Sequence, residues 1–210
     1  MMNEPLQYGR LYHIYNRGNN GENLFVQPRN YPYFLQLYAS HIQPIAETYA
    51  YCLLPNHFHF GLRTYTEVEQ EAYHRSQIGP FSKNGPIFKL TEPSRAFNNL
   101  FIAYARALNK ATNRTGALFE SPFGRKLIHS ERYLLTLIAY IHRNPQKHGF
   151  VADFRDWPWS SYGAMLSDKP TRINRDEVLA WYNGRSHFIE AHNAEPEAQL
   201  IAPLLMDDWF

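Results

Sequence analysis

Two histidines flank one phenylalanine in the stretch YCLLPNHFHF, residues 51–60, and theirs is the first chemistry legible in this chain. Successive side chains on a strand point to opposite faces, so His57 and His59 share one face and Phe58 takes the other. Two imidazoles held on one rigid surface can bind a divalent cation such as Mg2+ or Mn2+. They leave most of its coordination sphere open, which suits work on a phosphate better than a closed structural zinc site with four protein ligands. In a chain with ten histidines, a same-face pair also has an ordinary alternative as surface or hydrogen-bonding residues.

A later stretch, ERYLLTLIAYIHRNPQK, adds a nucleophile. At 100° per residue Tyr133, Tyr140 and Asn144 fall on one stripe beside the apolar face of a helix. This stripe permits one specific reaction. A tyrosine oxygen attacks a DNA phosphorus while the cation polarises the phosphate, the 3′ oxygen leaves, and the Asn144 amide oxygen serves as a further ligand. Among 15 tyrosines most must be packing residues, and Asn144 before Pro145 also reads as a helix terminator.

These residues need elements to position them. The segment RLYHIYNR (10–17) alternates enough to be a first strand, and Gly18-Asn19-Asn20-Gly21 is a turn cluster. Tyr31, Phe34, Leu35, Tyr38 and Ile42 recur at helical spacing within 28–45. Strands are expected at 47–54 and 57–63, joined by Pro55-Asn56. Residues 64–93 show no sustained period and read as an inserted loop or lid. A helix follows over 94–113, closed by Thr115-Gly116, then a fourth strand over 125–129. Ser130 caps the last helix, whose buried face is Leu134, Leu137, Ile138 and Ile141; Asn144-Pro145 is expected to stop it near Arg143. The order βαββαβα predicts an α+β, ferredoxin-like sandwich with an antiparallel sheet and the tyrosine helix after the fourth strand. Residues 1–150 form the domain, and 151–210 a C-terminal extension that packs back through Trp157-Pro158-Trp159, with a short helix at 176–182.

The 210 residues, 44% of them hydrophobic, suffice for a proper core. Cys52 stands alone, so no internal disulfide forms and a reducing compartment is expected. No stretch reaches membrane-spanning length, so the expectation is a soluble cytoplasmic protein with no membrane partner. Net charge is only +2, but its distribution is uneven. Between Arg95 and His148 Lys and Arg recur against only Glu120 and Glu131, while the chain beyond Ser186 carries acidic residues and no Lys or Arg. A basic middle fits a polyanion ligand. Arg106, Lys110, Arg114, Arg125, Lys126, Arg143 and Lys147 are the candidate DNA contacts, with Phe119 and Phe123 available to stack on bases. Arg125 and Lys126 are expected beside the site.

Four ordered motifs, PNHFHF, NRTGALFES, YLLTLIAYIHRNPQKHGF and DWPWSSY, together resemble the IS200-like transposases, in particular their REP-associated tyrosine transposase branch. These are HUH endonucleases, named for histidine–hydrophobic–histidine. The resemblance spans about residues 12–162. It implies that His57 and His59 are the metal-binding pair, that Tyr140 is the nucleophile forming a 5′-phosphotyrosine link, and that Asn144 stands where the family places a third polar ligand, commonly glutamine in insertion-sequence members. It also implies a ferredoxin-type fold that binds hairpin or palindromic DNA, cleaves single-stranded DNA, and acts as a monomer or homodimer. A hairpin-binding relative that does not cut and an RNA-binding module with structural histidines are the competing classes.

Overall fold

The computed structural model describes residues 4–77 and 89–194. Four strands, β1 (Leu11–Arg17), β2 (Ala46–Leu53), β3 (His57–Thr64) and β4 (Gly124–Leu127), make one sheet in the order β2-β3-β1-β4. Every neighbouring pair is antiparallel. Helix α1 (Asn30–Ile42) joins β1 to β2, α3 (Pro93–Thr112) precedes β4, and α4 (Glu131–Lys147) follows it. This is the expected ferredoxin-like α+β arrangement.

The pleat sorts each strand between two layers. Phe58, Phe60 and Leu62 of β3, with Tyr12 and Ile14 of β1, pack against Phe34 and Tyr38 of α1 and Phe97, Leu100, Phe101 and Tyr104 of α3. These residues are all nearly water-free. Burying each such side chain contributes about 1.5–3 kcal/mol. The polar tips inside this layer are paired: Tyr104 Oη donates to Leu24 O at 2.7 Å, and Tyr38 Oη lies 2.8 Å from Thr48 Oγ1. The opposite face of β2 and β3 receives Leu134, Leu137, Ile138 and Ile141 of α4. Ser130 caps α4 as expected, its side chain accepting from Tyr133 N.

The extension continues that second layer. Its short helices are α5 (Tyr162–Leu166), α6 (Arg175–Trp181) and α7 (Arg185–Asn193). Phe154, Tyr162, Met165, Val178 and Phe188 share one buried cluster with α4. Trp157 Nε1 donates to Leu53 O at 2.9 Å, and Trp159 stacks on Tyr31 with ring centroids 4.6 Å apart.

Three expectations are corrected. Pro145 does not end α4, which runs on to Lys147. A proline in the last turn forfeits only the bond its N–H would have made to Ile141 O, and His148 N still reaches Asn144 O at 3.0 Å. The segment 64–93 is not all loop. Helix α2 (Glu67–Gln77) opens with Thr66 and Glu69 bonding each other's backbone N–H reciprocally, at 3.2 and 2.7 Å. Residues 78–88 lie outside the described residues. Helix α3 spans the expected residues, but what closes it is Asn113, left-handed at φ 53°, rather than Thr115-Gly116.

Candidate active site

β3 fixes the histidine pair. His57 lies opposite Arg17 and His59 opposite Tyr15 on β1, and their rings stand 5.2 Å apart. His57 Nδ1 is 2.8 Å from Asn56 Oδ1. An amide oxygen only accepts, so His57 is the donor through Nδ1, and in the neutral form of the ring the lone pair lies on Nε2. His59 is 1% exposed, and its Nδ1 lies 2.9 Å from Nε2 of the buried His13. Burial holds the His59 imidazole well below its ordinary pKa, with His13, His57, His148 and Lys147 adding positive neighbours. A neutral ring is the form that ligates metal.

Helix α4 brings the candidate nucleophile, Tyr140. Gly61 lies under it, where an added Cβ would stand 3.4 Å from Ile141 Cδ1, so the helix seats closely on β3. Tyr140 then meets His59 edge to face, with centroids 5.9 Å apart. Asn144 is fully buried, and its Nδ2 donates to Tyr140 O at 3.2 Å. Its Oδ1 accepts no hydrogen bond from the described residues. The end of the helix closes over the pair: Lys147 Nζ is 5.0 Å from the Tyr140 ring, and the His148 ring is 4.9 Å from His57. The sequence-predicted His57, His59 and Tyr140 are thus brought together, and Asn144 stands one turn beyond Tyr140 on α4.

Among the described residues no group of three or more His, Cys, Asp or Glu is placed to hold a metal. The donors to hand are two imidazoles and the orphaned Asn144 oxygen. The amide oxygen suits Mg2+ or Mn2+ and the imidazoles suit later transition metals better, and any such cation would have most of its positions left for water and phosphate oxygens.

The predicted DNA contacts separate by position. Lys126 pairs with His13 across β1–β4 and so shares the histidine face, and Lys147 stands over Tyr140. Arg125 pairs with Ile14, so it points to the opposite layer and not toward the histidines as expected. There its guanidinium lies 3.8 Å over the Phe123 ring and donates to Glu4 O and Ser94 Oγ. Arg106 and Lys110 are exposed on α3, on that same far layer. Arg114 holds Glu22 at 2.7 Å and the carbonyl of Ala117, and Arg143 donates to the carbonyls of His192 and Ala194 at the end of α7. His13, Tyr15 and Asn56 had escaped the sequence reading. The alternation His13, Tyr15, Arg17 on one strand was the signal for the first two.

Fold and site thus define a ferredoxin-like α+β protein in which a histidine–phenylalanine–histidine strand faces a tyrosine-bearing helix. No protein-family model matches the chain. Over 116 residues it is 29% identical to a Haemophilus influenzae protein provisionally named a REP-associated tyrosine transposase, an alignment covering 55% of this chain and 58% of that relative. The chain therefore matches less than two thirds of the relative's length. It also shares its fold, with a TM-score of 0.54 and 17% identity over 81% of this chain and 87% of the other, with the solved structure of a REP-associated tyrosine transposase bound to a REP hairpin. The relative bears out the resemblance to the REP-associated branch of the IS200-like transposases, and the solved structure bears out the expected fold.

Proposed function

We propose that this protein is a transposase-like HUH endonuclease. It binds hairpin or palindromic DNA and nicks and rejoins single-stranded DNA through Tyr140. The observation that carries the reading is the meeting of Tyr140 with His59, with the orphaned Asn144 oxygen one turn further along α4. Similarity to a protein named as a transposase, and to a fold solved on a REP hairpin, supports DNA as the partner.

In this reading Tyr140 Oη attacks the scissile phosphorus in line, forming the Tyr140–phosphorus bond as the bond to the 3′ oxygen breaks. The tyrosine proton is released, and the departing 3′ oxygen takes one up. The phosphodiester is exchanged for a phosphotyrosine ester, so rejoining needs no external energy source. His57, His59 and Asn144 would hold a divalent cation, which when bound would neutralise charge at the scissile phosphate. Lys126 and Lys147 hold the strand by its phosphates, and Lys147 also balances charge that develops on Tyr140.

Tyr140 is only 4% exposed, which favours a second reading, a hairpin-binding protein that does not cut. One assay separates the two. The protein is incubated with labelled hairpin DNA carrying single-stranded flanks, drawn from around its own gene, plus Mn2+, and run on a denaturing gel. A covalent band that disappears with EDTA and in Tyr140→Phe supports the nuclease. Tight binding without a band sinks it in favour of the second reading.

A further inference from the structure

We propose that His13 is a positioning residue for His59: it accepts the His59 Nδ1–H and thereby fixes Nε2 as the nitrogen of that ligand bearing the lone pair. This rests on the reading of His57 and His59 as cation ligands. His13 projects from β1 onto the histidine face, and its Nε2 stands 2.9 Å from His59 Nδ1 with the rings stacked at 5.1 Å. The residue directly across from it is Gly61, which has no side chain to obstruct the diagonal approach to His59. Both rings are at most 1% exposed, so water does not compete for the bond.

One proton lies between these two nitrogens, and either ring could supply it. If His13 donated, a neutral His59 would carry its own proton on Nε2 and could not ligate there. The neighbouring ligand settles which arrangement matches. Asn56 Oδ1 can only accept from His57 Nδ1, so His57 presents Nε2. With His13 as acceptor, His59 presents the same nitrogen, and each ligand has its own outer partner, one an amide and one an imidazole. Such partners set the tautomer and orientation of a ligating histidine.

The test reads metal binding and tautomer rather than turnover. Mn2+ affinity is measured by electron paramagnetic resonance for the wild type, His13→Leu, His13→Gln and His59→Ala. Loss of an outer partner is expected to weaken Mn2+ about 10–100-fold in His13→Leu, while His13→Gln, whose amide oxygen can accept the same bond, stays within about threefold. Wild-type affinity in a folded His13→Leu, alongside weak binding in His59→Ala, overturns the role of His13 alone. Mn2+ binding indifferent to His59→Ala overturns the cation reading and this inference with it. Should His13→Leu not fold, two-bond 1H–15N spectra of the Mg2+-loaded wild type decide. A proton on His59 Nδ1 supports the proposal, and one on His59 Nε2 refutes it.

Discussion

Ser161 Oγ lies 2.7 Å from His142 Nε2, joining the extension to the side of α4 that faces away from Tyr140 and Asn144. The link is one member of a buried chain. His142 Nδ1 is 2.8 Å from His192 Nε2, and His192 Nδ1 is 2.7 Å from Phe188 O. A carbonyl only accepts, so His192 donates there, His142 donates to His192, and Ser161 donates to His142. Ser161 Oγ accepts from Tyr51 N at 2.9 Å. The helix bearing Tyr140 is thus tied to β2, α5 and α7 by groups that are all satisfied with both imidazoles neutral.

That neutrality makes stability depend on pH. Burial holds the His192 pKa down from 6.5 to about 4, and burial with His192 nearby lowers His142 well below its ordinary value. The unfolded chain binds protons at the ordinary value, so the stabilisation is complete above about pH 6.5 and is lost as pH falls toward 4. Urea unfolding is expected to lose about 2 kcal/mol through His192 between pH 7 and pH 5, with His142 acting in the same direction. His192→Gln should flatten that slope. An equally steep slope in the variant would assign it to other groups.

Ser161→Ala removes the donor to His142 and leaves Tyr51 N without its acceptor. An unsatisfied buried group costs about 1–3 kcal/mol. The midpoint of urea unfolding should fall accordingly with an unchanged slope. A loss within a few tenths of a kcal/mol would mean that the chain contributes little to holding α4.

Lys126 and Arg125 are adjacent in sequence and opposite in the sheet, so their alanine variants should separate cleanly. Lys126→Ala is expected to weaken hairpin binding and to lower the salt-dependence slope by about 1, as loss of one phosphate contact does. Arg125→Ala should leave that slope alone and lower stability instead, through its contacts to Phe123, Ser94 and Glu4. Fluorescence anisotropy over a salt series, with thermal melts, checks both. The reverse pattern would place the nucleic acid on the other layer.

Gly124 lies under the Tyr15 ring, where an added Cβ would fall 2.1 Å from Tyr15 Cε2. The ring must move in Gly124→Ala, and overpacking of this kind costs about 1–3 kcal/mol. Adding Tyr15→Ala to Gly124→Ala should recover part of that cost, seen in a double-mutant cycle as a positive coupling. Strict additivity would mean the two residues do not meet.

The sequence was most informative where period and chemistry coincide. Alternation in HFHF put His57 and His59 on one face, and the apolar stripe of α4 put Tyr140 beside them. It was least informative where a partner comes from another strand. Nothing local to His13 announces that it reaches His59 on β3, since that depends on register. Pro145 misled because its lost bond matters little in a last turn. Helix α2 carries no apolar stripe, burying only Gln70, so its sign was the Thr66–Glu69 cap rather than any period. Helix α7 is held by His192 and Phe188 inside a cluster assembled from distant segments.

The extension also governs how the sheet can meet other chains. Leu53 N donates to Trp159 O at 2.9 Å and Cys52 bridges Ser160, so the outer edge of β2 is already occupied there. The other edge is β4, four residues long, with Lys126 standing on one face. Short, charged edges resist strand addition. Self-association by extending this sheet is therefore disfavoured at both ends, and two copies that do pair would meet through helical faces.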